Sequence, residues 1–159
     1  IEGVQIANYN CPGQIVITGE AAAVAEAGTA LKEAGARRVL PLKVSGPFHS
    51  PMMRPAGEEL AKVFAGVSMN PLKIPYVANI NAEVITDCGR IEGLLVEQVS
   101  GSVRWQQSVE TMIREGVDTF VEIGPGKTLT GFLRKIDKNV KAYHIGSWEE
   151  AVQVCEELK

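Results

Sequence analysis

The chain has 159 residues, 45% hydrophobic and 22% charged, with a mean hydropathy near zero, the profile of a soluble globular domain with material for one sizeable core. Its net charge of −3 and pI of about 5.5 exclude the basic footprint of a nucleic-acid binder, and the short pairs Arg37-Arg38 and Arg134-Lys135 read as solvated faces. No apolar run approaches the roughly 18 residues of a membrane span, and no signal-peptide pattern opens the sequence.

The three cysteines, Cys11, Cys88 and Cys155, show neither CxxC nor metal-ligand spacing, and reduced thiols in a cytoplasmic protein are the simplest account. Two histidines in all argue against a structural zinc site. The sequence enters a strand-like run at once, without a Met, and so reads as part of a longer polypeptide.

In chain order, Val4–Ala7 and Gln14–Ile17 are strand-like, joined by the turn formers of Asn8–Gly13. The Ala-rich stretch 20–36 carries Val24, Ala27, Leu31 and Ala34 at helical spacing, with Gly35 placed to stop the helix. Arg38–Leu42 reads as a strand, completing a β-β-α-β unit that leads into VSGPFHS, Val44–Ser50. Ser50 can cap a helix with Pro51 in its first turn and Met53, Leu60, Val63 and Phe64 on its inner face. Ile74–Val77 reads as a strand, and Asn79–Asp87 as a polar loop or hairpin. Helices follow near Glu92–Val99 and Trp105–Glu115, the second ended by Gly116. Asp118–Ile123 reads as the clearest buried strand. After Gly124-Pro125-Gly126 come a helix at Leu129–Ile136, a strand at Val140–Ile145 and a helix at Trp148–Leu158. Alternating strands and helices imply an α/β protein with a mostly parallel, helix-covered sheet.

GPGKT, Gly124–Thr128, follows a strand and opens a helix. A phosphate-binding loop needs G-x-x-x-x-G-K-[ST], though, and Val121 stands where the first glycine should be. A tight strand-to-helix turn is the better reading. His144 lies inside a strand with no partner suggested nearby, and reads as a satisfied structural histidine. His49 differs. It sits at a strand-to-helix junction, where sites of α/β folds gather, behind the conformationally restricted Gly46-Pro47. A general base needs a pre-set position of this kind. Residue types alone leave a capping or core role as open as a catalytic one. A serine client on G-x-S-x-G is absent: Ser45-Gly46, Gly101-Ser102 and Gly146-Ser147 all lack the pattern. Cys11 could pair with a histidine as nucleophile, but nothing cationic lies near it in sequence to lower its pKa.

Three segments together carry a family resemblance: ANYNCPGQIVITG (Ala7–Gly19), LPLKVSGPFHSPMM (Leu40–Met53) and VRWQQSVETMIREGVDTFVEIGPGKTLTGFLRK (Val103–Lys135). They resemble the malonyl-CoA:acyl carrier protein transacylases, which load malonyl units for fatty-acid synthesis. The resemblance covers nearly the whole chain and places it in the C-terminal half of enzymes about twice as long. It implies an α/β-hydrolase-like large subdomain, whose C-terminal part is residues 46–159, and a partial ferredoxin-like small subdomain in residues 1–45.

On that resemblance His49 is the catalytic histidine, general base toward a serine in G-H-S-L-G of the missing N-terminal half. Gln98 matches the residue whose backbone carbonyl orients it, and Phe48 the position that favours malonyl over methylmalonyl. Asn8, Asn10 and Gln14 match a polar segment facing the cleft between subdomains. The carboxylate-pairing arginine and the oxyanion-hole donors fall in the missing half, so this chain alone is expected to be inactive. No metal or cofactor is implied. The partners are malonyl-CoA, the phosphopantetheine arm of acyl carrier protein and the N-terminal half itself. The alternatives are an acyltransferase domain of a polyketide synthase and a non-catalytic carrier-protein binding module.

Overall fold

Turn chemistry shapes the first forty residues of the computed structural model, which describes residues 1–44 and 46–159. Strands β1 (Val4–Cys11) and β2 (Gln14–Gly19) form an antiparallel hairpin closed by Pro12-Gly13. The expected loop from Asn8 is therefore strand. Asn8-Tyr9-Asn10 stays in the ladder, at the cost of register shifts between Ile6 and Asn8 and between Tyr9 and Cys11. Helix α1 (Ala21–Glu33) follows. It ends in a glycine-stopped cap: Gly35, at φ +94°, donates to the Lys32 carbonyl, and Ala36 to that of Leu31.

The strand expected at Arg38–Leu42 does not form, and the β-β-α-β unit stops at β-β-α. A strand needs a neighbour for its amides and carbonyls, and this segment finds none among the described residues. Leu40 and Leu42 are left about 60% exposed (58% and 60%). Ser45, the end of the proposed small subdomain, lies outside the described residues. A 3₁₀ turn at Pro51–Met53 leads into α2 (Arg54–Phe64). Met53, Leu60 and Phe64 are half-buried as an inner face requires, but Val63 points outward. Helix α2 packs on α3 (Ile91–Ser100) through Gly57, where an added Cβ would stand 3.1 Å from the Val96 carbonyl oxygen.

Only Tyr76–Val77 (β3) of the Ile74–Val77 segment is paired, with Val84–Ile85 (β4), in a short antiparallel hairpin. Helix α4 (Trp105–Arg114) packs against β1, with Ser108 and Val109 fully buried and the Thr111 hydroxyl donating to the Ala82 carbonyl. Gly116 closes it as Gly35 closes α1.

The C-terminal elements are β5 (Thr119–Ile123), α5 (Thr128–Ile136), β6 (Lys141–Ile145) and α6 (Trp148–Glu157). Strands β5 and β6 pair in parallel, Thr119 opposite Lys141 through Ile123 opposite Ile145.

The molecule is mixed α/β, but the mostly parallel sheet is not there. Among the described residues the strands form three separate two-stranded sheets, and only β5–β6 is parallel. Nor is β5 buried. Ile123 is 78% exposed and Val121 36%. Among the described residues no third strand pairs with this two-stranded ribbon, whereas parallel strands ordinarily lie in larger sheets covered on both sides.

Candidate active site around His49

His49 takes a left-handed backbone (φ +59°), a conformation that side chains other than glycine rarely adopt and that clusters at functional sites. Its neighbours hold it there. The buried Ser50 hydroxyl donates to the Pro47 carbonyl at 2.7 Å, closing the turn around Phe48 and His49. That bond replaces the expected helix cap: the serine closes the turn before it, and its side chain caps nothing. The Gln5 side-chain amide, reaching over from β1, donates to the His49 carbonyl.

The imidazole is clamped from the end of α3. Nδ1 lies 3.1 Å from the Gln98 carbonyl oxygen and 3.1 Å from that of Gly101. Carbonyls only accept, so Nδ1 carries a ring hydrogen, and in the neutral form of the ring the lone pair falls on Nε2. Nε2 makes no hydrogen bond among the described residues. The Gln98 side chain supports the same loop, its amide donating to the Gly101 carbonyl at 3.2 Å. The result is an imidazole held in one orientation, with Nδ1 as its donor and Nε2 unpartnered among the described residues. Such a group can take a proton from an acidic O–H or S–H and return it.

The other sequence-derived residues lie around this centre or apart from it. Phe48 is 49% exposed, and its ring covers Gly46, where an added Cβ would meet ring atoms at 3.6 Å. Asn8, Asn10 and Gln14 sit on the β1–β2 hairpin, and none hydrogen-bonds to His49. The hairpin is nevertheless stitched to the loop behind the histidine clamp. Tyr9 donates to the Val103 carbonyl, Val103 to that of Ala7, and the Ser102 hydroxyl to that of Ile6.

Cys11 cannot act as an accessible nucleophile. It is 1% exposed on β1, and its thiol meets the Gln14 side-chain oxygen at 3.8 Å. Two clefts, of about 470 and 240 Å³, lie along α5, β6 and α6, and neither is lined by His49.

GPGKT is a turn for a reason the sequence did not disclose. The Glu122 carboxylate folds over it and accepts from the Leu129 amide (3.0 Å), the Thr130 amide (2.7 Å) and the Thr130 hydroxyl (2.6 Å). A carboxylate thus occupies the amides at which a phosphate would bind a helix start. Partial burial works against the Glu122 charge. The Thr130 and Leu129 bonds, with attraction to His144, outweigh it and hold the carboxyl below its ordinary range. His144 does have a partner: its Nε2 is 2.9 Å from the Gly124 carbonyl oxygen, while its buried Nδ1 makes no hydrogen bond among the described residues and lies 3.5 Å from the Glu150 carboxylate.

The family model described as "Acyl transferase domain" matches residues 1–154. The chain belongs to the acyl transferase family. A malonyl CoA-acyl carrier protein transacylase of Bacillus subtilis is 43% identical over 156 residues, covering 98% of this chain and 49% of that protein. The crystal structure of an acyl-carrier-protein-S-malonyltransferase from Bartonella henselae superposes with a TM-score of 0.93 at 42% identity, covering 98% of this chain and 49% of the other. A malonyl-transacylase solved in complex with its type II PKS acyl-carrier protein gives a TM-score of 0.93 at 38% identity, covering 97% and 50%. The chain therefore spans about half the length of the acyl transferases it matches.

Three contributors to the His49 arrangement escaped sequence reasoning: Gln5, Gly101 and Ser102. Only Gly101 left a trace, as a glycine just past a helix end.

Proposed function

We propose that this chain is the C-terminal half of a malonyl-CoA:acyl carrier protein transacylase of fatty-acid synthesis, and that His49 is its general base. The observation that carries the reading is the clamp on Nδ1 by the Gln98 and Gly101 carbonyls, which leaves Nε2 free at a strained position of an acyl transferase chain. The transacylase names of the relatives support the substrate assignment.

In this reading the nucleophile is a serine of the N-terminal half. Nε2 of His49 takes the hydroxyl proton as the serine oxygen attacks the malonyl thioester carbonyl. The imidazolium then gives that proton to the departing CoA sulfur. In the second half-reaction Nε2 takes the proton of the carrier protein's phosphopantetheine thiol, and the protonated ring returns it to the serine oxygen as the acyl group leaves. The two carbonyls fix tautomer and orientation while adding less negative charge than a triad carboxylate. No metal or cofactor takes part.

Residues 1–45 form part of a ferredoxin-like small subdomain and 46–159 the end of an α/β-hydrolase-like large one, in a cytoplasmic enzyme. Phe48 bounds the space at the acyl α-carbon, and Asn8, Asn10 and Gln14 line the cleft between the two. Charge-stabilising donors and the arginine for the malonyl carboxylate come from the other half. The test is His49→Ala in the full-length enzyme: malonyl transfer falls by at least the roughly 10²–10⁴-fold of a positioned acid–base group while the protein stays folded. Near-normal transfer removes His49 from the mechanism.

A further inference from the structure

We infer that Gln5 is a positioning residue for the base, fixing the distance between the histidine backbone and the carbonyls that clamp its ring; this rests on the proposed role of His49. The imidazole hangs from one segment, Pro47–Ser50, and its acceptors belong to another, Gln98–Gly101. The Gln5 amide nitrogen ties the two. It donates one hydrogen to the His49 carbonyl and the other to the Ser100 carbonyl, at 3.3 Å. Both hydrogens of one –NH₂ group are thus used, and the two carbonyls are held at the separation that a single nitrogen can span.

The left-handed backbone explains why the tie is needed. At φ +59° the His49 carbonyl takes no part in regular secondary structure, yet it lies in a partly buried turn. Without a donor that carbonyl is unpaired, and the residue is free to relax toward an ordinary conformation. Relaxation would swing Nδ1 off the Gln98 and Gly101 oxygens and release the tautomer. Gln5 sits on β1 next to the residues that bind the same loop: Ile6 through Ser102, and Ala7 and Tyr9 through Val103. Those bonds do not involve the Gln5 side chain, so β1 stays anchored when that side chain is changed.

The test is made in the full-length enzyme with its histidines ¹⁵N-labelled, the His49 signal being assigned by its loss in His49→Ala. Long-range ¹H–¹⁵N correlation reads the tautomer. The wild type is expected as the Nδ1–H form. Gln5→Met keeps the length of the side chain and loses the donor. Gln5→Glu keeps the shape and turns the donor into an acceptor. Both are expected to give mixed tautomers at His49, unchanged His144 signals, and a kcat for malonyl transfer lowered by about 10-fold with KM for malonyl-CoA within about twofold, less than the ~10²-fold of a full 1 Å misplacement. Gln5→Lys, which restores a donor, is expected to recover the Nδ1–H form and most of kcat.

If Gln5→Met keeps the wild-type tautomer or the wild-type kcat, the inference is overturned. It is equally overturned if Gln5→Lys fails together with Gln5→Met, since bulk and not hydrogen bonding would then be what matters. Should His49→Ala retain transfer, the parent reading fails. Loss of transfer in His49→Ala with wild-type behaviour in Gln5→Met sinks the positioning role alone.

Discussion

Gly101→Ala perturbs the histidine clamp without touching a reacting group. Gly101 has φ −96° and ψ 159°, which alanine adopts freely, so the effect is one of space. An added Cβ would stand 2.1 Å from the Ile80 Cδ1 and 3.0 Å from the Glu97 carbonyl oxygen. Carbon atoms pack at about 3.5–4.0 Å, so roughly 1.5 Å of movement is required. Ile80 can give some of it by rotating, but Glu97 is backbone in the last turn of α3 and already accepts from the Gly101 amide. The loop must therefore shift, taking the Gly101 carbonyl away from Nδ1.

Overpacking of this kind costs about 1–3 kcal/mol, offset by the ~0.4–1 kcal/mol that alanine gains by restricting the unfolded chain. A net loss of about 1–2 kcal/mol is expected in denaturant titration of the full-length enzyme, with malonyl transfer lowered by up to ~10²-fold. Ile80→Val deletes the atom that is struck. Alone it should cost about 0.5–1.5 kcal/mol. Combined with Gly101→Ala it should recover part of the lost stability and transfer, the Glu97 contact remaining, with a favourable coupling of roughly 0.5–3 kcal/mol. A Gly101→Ala enzyme as stable and as active as wild type would refute the claim that this loop sets the base.

Replacing Phe48 by Ser opens space for one branching methyl, and pocket discrimination per methyl is worth about 1–3 kcal/mol. Methylmalonyl-CoA should gain on malonyl-CoA in a competition assay without full reversal, and an unchanged ratio would remove Phe48 from specificity. Glu122→Gln removes a carboxylate whose pKa is lowered by folding. Its contribution is therefore present above the ordinary carboxylate range and lost as pH falls through the folded value. The variant should be about 1 kcal/mol less stable at pH 7, at the modest end for a helix cap because the side chain is half-exposed, and the deficit should shrink as pH falls through the folded carboxyl's titration. A deficit that stays constant as pH falls would show that the charge is not what holds the turn.

Helices were legible in this sequence because their signals are local. Gly35 and Gly116 stop α1 and α4 through bonds made within six residues. Strands were less so, because a strand is completed by a neighbour. Arg38–Leu42 has the composition of one and no partner among the described residues, while Val121 and Ile123 have the composition of a buried strand and lie open. Asn8–Cys11 misled in the other direction, its turn formers being absorbed into a bulged ladder.

The site divides in the same way. GPFHS marks itself by the glycine and proline before the histidine, and the role of the Gln98 carbonyl came through family resemblance alone. A backbone acceptor leaves no trace in residue type. Gln5, 44 positions from His49, carried no signal at all.

In the proposed mechanism this chain supplies the base of an acyl transfer and not its nucleophile. The most direct test incubates the 159-residue chain with labelled malonyl-CoA and reads intact mass, alone and after mixing with the N-terminal half of the enzyme. No adduct is expected on this chain in either case. The mixture should carry one malonyl group on the other half, and His49→Ala should abolish it. A malonyl adduct on this chain, at Cys11 or at any serine, would contradict the account.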